Sequence, residues 1–211
     1  MRLLLWLLPS LLAAQTYDIV LQRGRVMDPE SGLDAVRSVG ITGDKIVAVS
    51  ERPLRGKLEV DASNLVIAPG FIDLHQHSQT PEAYGFKAMD GVTTALELEV
   101  GVSPVSEWYA AREGKSIVNF GASSGHIAAR IAVMHDTGGL LPRDAAMNRP
   151  ATPAEQKAIE SAVQKGLDEG ALGLGMGITY TPTATPDEIL NLFYLAASSS
   201  GRCLFTCVRE T

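Results

Sequence analysis

The 211-residue sequence predicts an α/β protein, a small β-domain followed by a longer segment in which strands and helices alternate. Three observations carry that class. Residues 17–66 run as short β-type stretches separated by turn residues. From Leu65 on, apolar strand-like runs alternate with capped amphipathic segments, the pattern of a parallel sheet. Where the two parts meet, the apolar run Leu65 to Leu74 ends in His75-Gln76-His77, which puts metal-binding side chains at a strand end.

The elements follow in order. Met1-Arg2, the apolar stretch Leu3 to Leu12 and the small pair Ala13-Ala14 form a secretory signal, too short to span a bilayer comfortably. Cleavage after Ala14 or Gln15 would start the mature chain near Thr16; a buried first helix is the rival reading, disfavoured by Pro9. In the β-domain, 17–22 and 24–28 read as two strands around a tight connection. The runs 38–41 and 45–49 flank Gly43 in a hairpin, and 58–62 is a further strand, which suggests a small sandwich-like domain. In the second part, strands are expected at 65–75, 92–99, 116–120, 171–177 and 203–208. Thr152-Pro153-Ala154-Glu155 and Thr185-Pro186-Asp187-Glu188 are helix starts with proline at the first helical position. Ala158, Ile159, Ala162, Val163 and Leu167 would form the buried stripe of the first helix; Ile189, Leu192, Phe193 and Ala196 that of the second. Gly170 and Gly201 would stop them, and 138–151 reads as a loop.

Composition narrows the partners. The net charge is −6 with no Lys/Arg-rich block, which argues against nucleic acid and anionic membranes. The two cysteines, Cys203 and Cys207, share one strand-like run and would lie roughly 13 Å apart, too far for a disulfide. They read as free thiols, one of them a candidate metal ligand.

His75 and His77 are two apart, so an extended strand points both imidazoles to one face, where they can share a divalent cation. The pair alone fits two polar residues closing a strand equally well. The Pro69-Gly70 before it and the strand Gly91-Val92-Thr93-Thr94 after it make the string more specific. Glu97 and Glu99 lie in the apolar strand Ala95 to Val100. They are either a solvated edge or, if the strand is buried, carboxylates that need a partner or a metal.

The string Pro69-Gly70-Phe71-Ile72-Asp73-Leu74-His75-Gln76-His77 resembles the amidohydrolase superfamily. With Asp90-Gly91-Val92-Thr93-Thr94, Gly125-His126-Ile127-Ala128-Ala129-Arg130, Gly170 to Gly175 and Tyr180-Thr181-Pro182, it looks like the N-acyl-D-amino-acid deacylase branch, from about Asp18 to the last residue. The resemblance implies a TIM-type (β/α) barrel, of which this length holds about five of eight strands, so the chain reads as an N-terminal fragment. The divisions would be 1–15 signal peptide, 16–64 small β-domain and 65–211 partial metal-dependent hydrolase barrel. It implies one or two divalent metals, zinc foremost, and hydrolysis of a small-molecule amide, an N-acyl (D-)amino acid. The missing C-terminal half of the barrel would carry the catalytic Asp, beyond residue 211. It also implies metal ligands: His75, His77, then Glu99 or Glu97 in place of an absent bridging Cys (Glu99 first, exchangeable by a two-residue register shift), and Cys207 where the family has a His. Substrate contacts would be Tyr180, Arg209 and His126, the last equally readable as a structural histidine. Absence of a lysine in the fourth strand argues against a carboxylated-lysine, cyclic-amide enzyme. Two other readings stay open, a non-catalytic exported fragment and an imidazolone or lactam amidohydrolase.

Overall fold

The computed structural model describes residues 16–77, 79–199 and 203–206. The signal segment expected at 1–15, the helix stop at Gly201 and the side chains of Cys207 and Arg209 fall outside them. The chain divides into two compact units, residues 1–69 and 70–211.

The first unit is one mixed five-stranded sheet: β1 (Thr16–Asp28), β2 (Leu33–Thr42), β3 (Lys45–Ser50), β4 (Arg55–Asp61) and β5 (Val66–Ile67), in the order β3-β2-β1-β4 with β5 also on β1. The expected break at residue 23 does not end a strand. β1 runs through it as a bulge between Leu21 and Gly24, with Arg23 at φ 60° absorbing the extra residue. Gly24 is required there, because a Cβ would stand 2.5 Å from the Ile67 side chain. The hairpin at Gly43 forms as expected, with φ +59° at that glycine.

The second unit is a parallel sheet of β6 (Phe71–Asp73), β7 (Val92–Val102), β8 (Asn119–Gly125), β9 (Gly173–Met176) and β10 (Cys203–Thr206), neighbours in chain order throughout. Five sequential parallel strands with helices between them make a partial TIM-type barrel. The helices are α1 (Pro81–Met89), α2 (Val105–Ala110), α3 (His126–Val133), α4 (Ala145–Asn148), α5 (Pro153–Asp168) and α6 (Pro186–Ser198). The expected strand 65–75 is two strands, since Ala68-Pro69-Gly70 interrupts it; β5 joins the first unit and β6 the second. The expected strand 116–120 lies at 119–125. Its small residues are packing devices. A Cβ on Gly125 would meet the backbone of Gly101 and Val100 at 2.7 Å, and one on Gly175 would meet Ser123 Oγ at 2.3 Å.

Helix α5 starts with the expected capping box, Thr152 with Glu155, and ends at Gly170, φ +103°. It buries Ile159, Val163, Gly166 and Leu167 against β8 and β9, while Ala158 is exposed. Helix α6 buries Leu192 and Ala196, but Phe193 stays 40% exposed. The loop expected at 138–151 contains α4 and is pinned by Asp136, whose carboxylate accepts the backbone N–H groups of Gly138, Arg143, Asp144 and Ala146. Among the described residues no helix is long and apolar enough to cross a membrane.

Candidate metal centre

The segment after β6 leaves the regular ladder but stays tied to β7. His75 pairs with Glu97 as an isolated bridge, and Gln76 N donates to Leu96 O at 3.1 Å. Asp73 holds the approach, accepting from His75 N at 3.1 Å and from Lys87 Nζ at 2.5 Å. This register puts both imidazoles over the carboxyl half of β7. His75 Nε2 and His77 Nε2 lie 3.0 Å apart, and Glu99 Oε2 lies 3.9 Å from the first and 3.6 Å from the second.

Three donors around a tetrahedral zinc at 2.0–2.2 Å would stand about 3.3–3.6 Å from one another, so these separations need only small adjustments. The donor chemistry, two imidazoles and a carboxylate, is that of zinc sites. His75, His77 and Glu99 could therefore hold a metal ion. Two further observations fit one. Glu99 Oε1 is buried with no hydrogen-bond partner. Among the described residues no lysine or arginine forms an ion pair with Glu97 or Glu99, although both are buried. Buried carboxylates left without a cation are costly.

Glu97 sits elsewhere. Both of its oxygens contact His77 Nδ1, at 2.8 and 3.0 Å, on the far side of the ring from Glu99. Burial pushes its carboxyl above the ordinary value, against the pull of His77. Expected as an alternative ligand, it lies outside the group formed by His75, His77 and Glu99 and contacts the His77 ring.

No family model matches the chain. Among curated proteins it is similar to the N-acyl-D-aspartate deacylase of Alcaligenes xylosoxydans xylosoxydans, 28% identical over 92% of this chain and 43% of the relative. The D-aminoacylase of the same organism is 28% identical over 85% of this chain and 42% of its own length. Among solved structures, a D-aminoacylase studied for its binuclear metal centre superimposes with a TM-score of 0.77 at 25% identity, covering 92% of this chain and 46% of that one. The chain is similar to the D-aminoacylase branch of the amidohydrolases over most of its length. The N-acyl-D-glutamate deacylase of Bordetella bronchiseptica, solved with zinc and a phosphonate mimic of the tetrahedral intermediate, gives 0.76 at 25% identity over 93% of this chain and 46% of that one. The present chain spans under half the length of these relatives. Dihydroorotases match only a 64-residue stretch, 42% identical in Streptococcus thermophilus, 30% of this chain.

The remaining site expectations divide. Tyr180, in a short 3₁₀ turn (Ile178–Tyr180) after β9, is half-buried and near Glu99. A Cβ on Gly177 would meet both Glu99 Oε1 and the Tyr180 ring at 3.0 Å. Of the two readings of His126, the structure has the structural one. It is fully buried, with Nε2 donating to Glu188 Oε1 at 2.8 Å, because it opens α3 against α6 rather than facing the strand ends. Arg130 NH1 donates to both Glu188 oxygens at 2.6 Å, and its other nitrogens reach Ala146 O and Arg149 O at 3.1 Å. Sequence reading missed this triad, although a lone arginine inside the apolar helix His126–Val133 signals a buried partner.

Proposed function

We propose that this chain supplies the first metal ligands of a zinc-dependent hydrolase that cleaves the amide of N-acyl-D-amino acids. The observation that carries the reading is the convergence of His75, His77 and Glu99 at the carboxyl ends of β6 and β7, where TIM-type barrels place their chemistry. A zinc ion held there would lower the pKa of bound water to about 7 and polarise the scissile carbonyl. His75 and His77 offer neutral nitrogen to the ion, and Glu99 offers an anionic oxygen. Tyr180, whose ring and Glu99 Oε1 both border Gly177, would donate a hydrogen bond to the substrate's carboxylate or carbonyl. Match over most of the chain to deacylases, and over a short stretch to dihydroorotases, favours a linear N-acyl amino acid over a cyclic amide. β9 (Gly173–Met176) also carries no lysine. The relatives are more than twice as long as this chain, and the activity is proposed for the whole protein.

The test is a panel of N-acetyl-D- and N-acetyl-L-amino acids and dihydroorotate, presented to the zinc-loaded whole protein. Hydrolysis of the D-substrates is expected. Zinc uptake without hydrolysis of any of them would favour a non-catalytic role, and turnover of dihydroorotate would move the assignment to cyclic amides. We propose further that Met1 to about Gln15 directs export and is removed. N-terminal sequencing of the exported protein should start near Thr16, and an intact Met1 would refute it.

A further inference from the structure

We infer that Glu97 is a positioning residue, which fixes the tautomer of His77 and thereby the metal affinity of the centre. The inference rests on the metal reading above. A neutral imidazole has one donor and one acceptor nitrogen, and the partner of one decides the role of the other. Among the described residues His77 Nδ1 faces the two oxygens of Glu97 at 2.8 and 3.0 Å, which as an ionised carboxylate can only accept. Glu97 is 4% exposed, so solvent does not compete for that contact. The proton therefore resides on Nδ1, donated to Glu97, and the lone pair resides on Nε2. Nε2 is the nitrogen that faces His75 Nε2 at 3.0 Å and Glu99 Oε2 at 3.6 Å.

The backbone makes the arrangement possible. Residues 97 and 99 share one face of β7 in their two-residue spacing. The bridge between His75 and Glu97 sets the two histidines beside that face. Glu99 thus approaches the Nε2 edge of the His77 ring while Glu97 takes the Nδ1 edge. The two carboxylates, alike in sequence, have different tasks: one ligates, one orients. A carboxylate on the far nitrogen of a metal-bound histidine also raises the ring's basicity, and loss of such partners costs about 10- to 100-fold in metal affinity.

The experiment combines zinc titration with nitrogen NMR of the His77 ring in the metal-free chain, for wild type, Glu97→Leu and Glu97→Gln. Wild type is expected to hold the Nδ1–H form. Glu97→Leu should lose that preference and weaken zinc binding about 10- to 100-fold. Glu97→Gln, which keeps an acceptor oxygen, should retain the tautomer and lose less. It also carries the test if the leucine variant does not fold. An Nε2–H ring in wild type, or unchanged affinity in both variants, would overturn the inference. Loss of zinc as complete as in His77→Ala would make Glu97 a ligand and also overturn it. If wild type takes up no zinc, the metal reading fails, while the ring's tautomer still decides the role of Glu97.

Discussion

Among the described residues of the second unit, histidine meets buried carboxylate in two places, and the two are built in opposite ways. Around His126 the charges close on themselves. Glu188 receives His126 and both oxygens receive Arg130, with every member at most 1% exposed. Around His75 and His77 two carboxylates gather with no arginine or lysine ion-paired to them among the described residues, and the His75 side chain is 66% exposed. A cluster that neutralises itself holds helices together; one that leaves donors converging and unbalanced is made for something brought from outside. Partner and exposure, rather than residue type, separate a structural histidine from a ligand.

The largest effect should come from opening the closed cluster. Arg130→Met leaves the Glu188 carboxylate buried without its cation, which costs about 3–5 kcal/mol. Urea unfolding should show this loss while zinc binding per folded chain stays unchanged. A loss under about 1 kcal/mol would mean that the triad behaves like a surface pair and that the comparison fails.

The same cluster gives stability a pH dependence. Burial holds the His126 imidazole below its ordinary value of 6.5, against the pull of Glu188. At pH above that value the ring is neutral folded and unfolded. As pH falls below it the unfolded chain takes up the proton first, so stability declines. Burial pushes Glu188 up, but the hydrogen bonds from His126 and Arg130, with the charge of Arg130, outweigh it and hold the carboxyl below 4.5. Its contribution is present above that value and is lost at lower pH. Denaturation midpoints between pH 7 and 5 should fall for wild type and fall less for His126→Gln. Equal slopes would remove His126 as the cause.

A smaller effect tests how the triad is presented. Thr185 caps α6, its hydroxyl accepting Glu188 N at 3.2 Å, in the turn that delivers the Glu188 side chain. Thr185→Ala should cost about 1 kcal/mol in unfolding free energy. It should leave zinc affinity alone; an affinity change would show that the two clusters are coupled.

Much of this was legible in sequence because the signals are local. The His75–His77 spacing, the capping residues Thr152 and Thr185 and the alternation of strand and helix need only neighbours along the chain. What escaped depends on distant partners. The choice between Glu97 and Glu99 is set by the register of residues 75–77 against β7, which periodicity does not encode. The burial of His126 depends on Glu188, 62 residues away. The strand 119–125 was obscured because its glycines and serines, loop residues by propensity, are there to let β7, β9 and α5 approach. A Cβ on Gly166 of α5 would stand 2.3 Å from Ser124 Oγ.

The account is tested most directly by zinc content measured side by side in wild type, the double variant His75→Ala/His77→Ala and His126→Gln, each confirmed folded. Wild type and His126→Gln should hold about one zinc per chain and the double variant none. Zinc retained by the double variant, or lost from His126→Gln alone, would contradict the assignment of the open cluster as the metal centre and the closed one as structure.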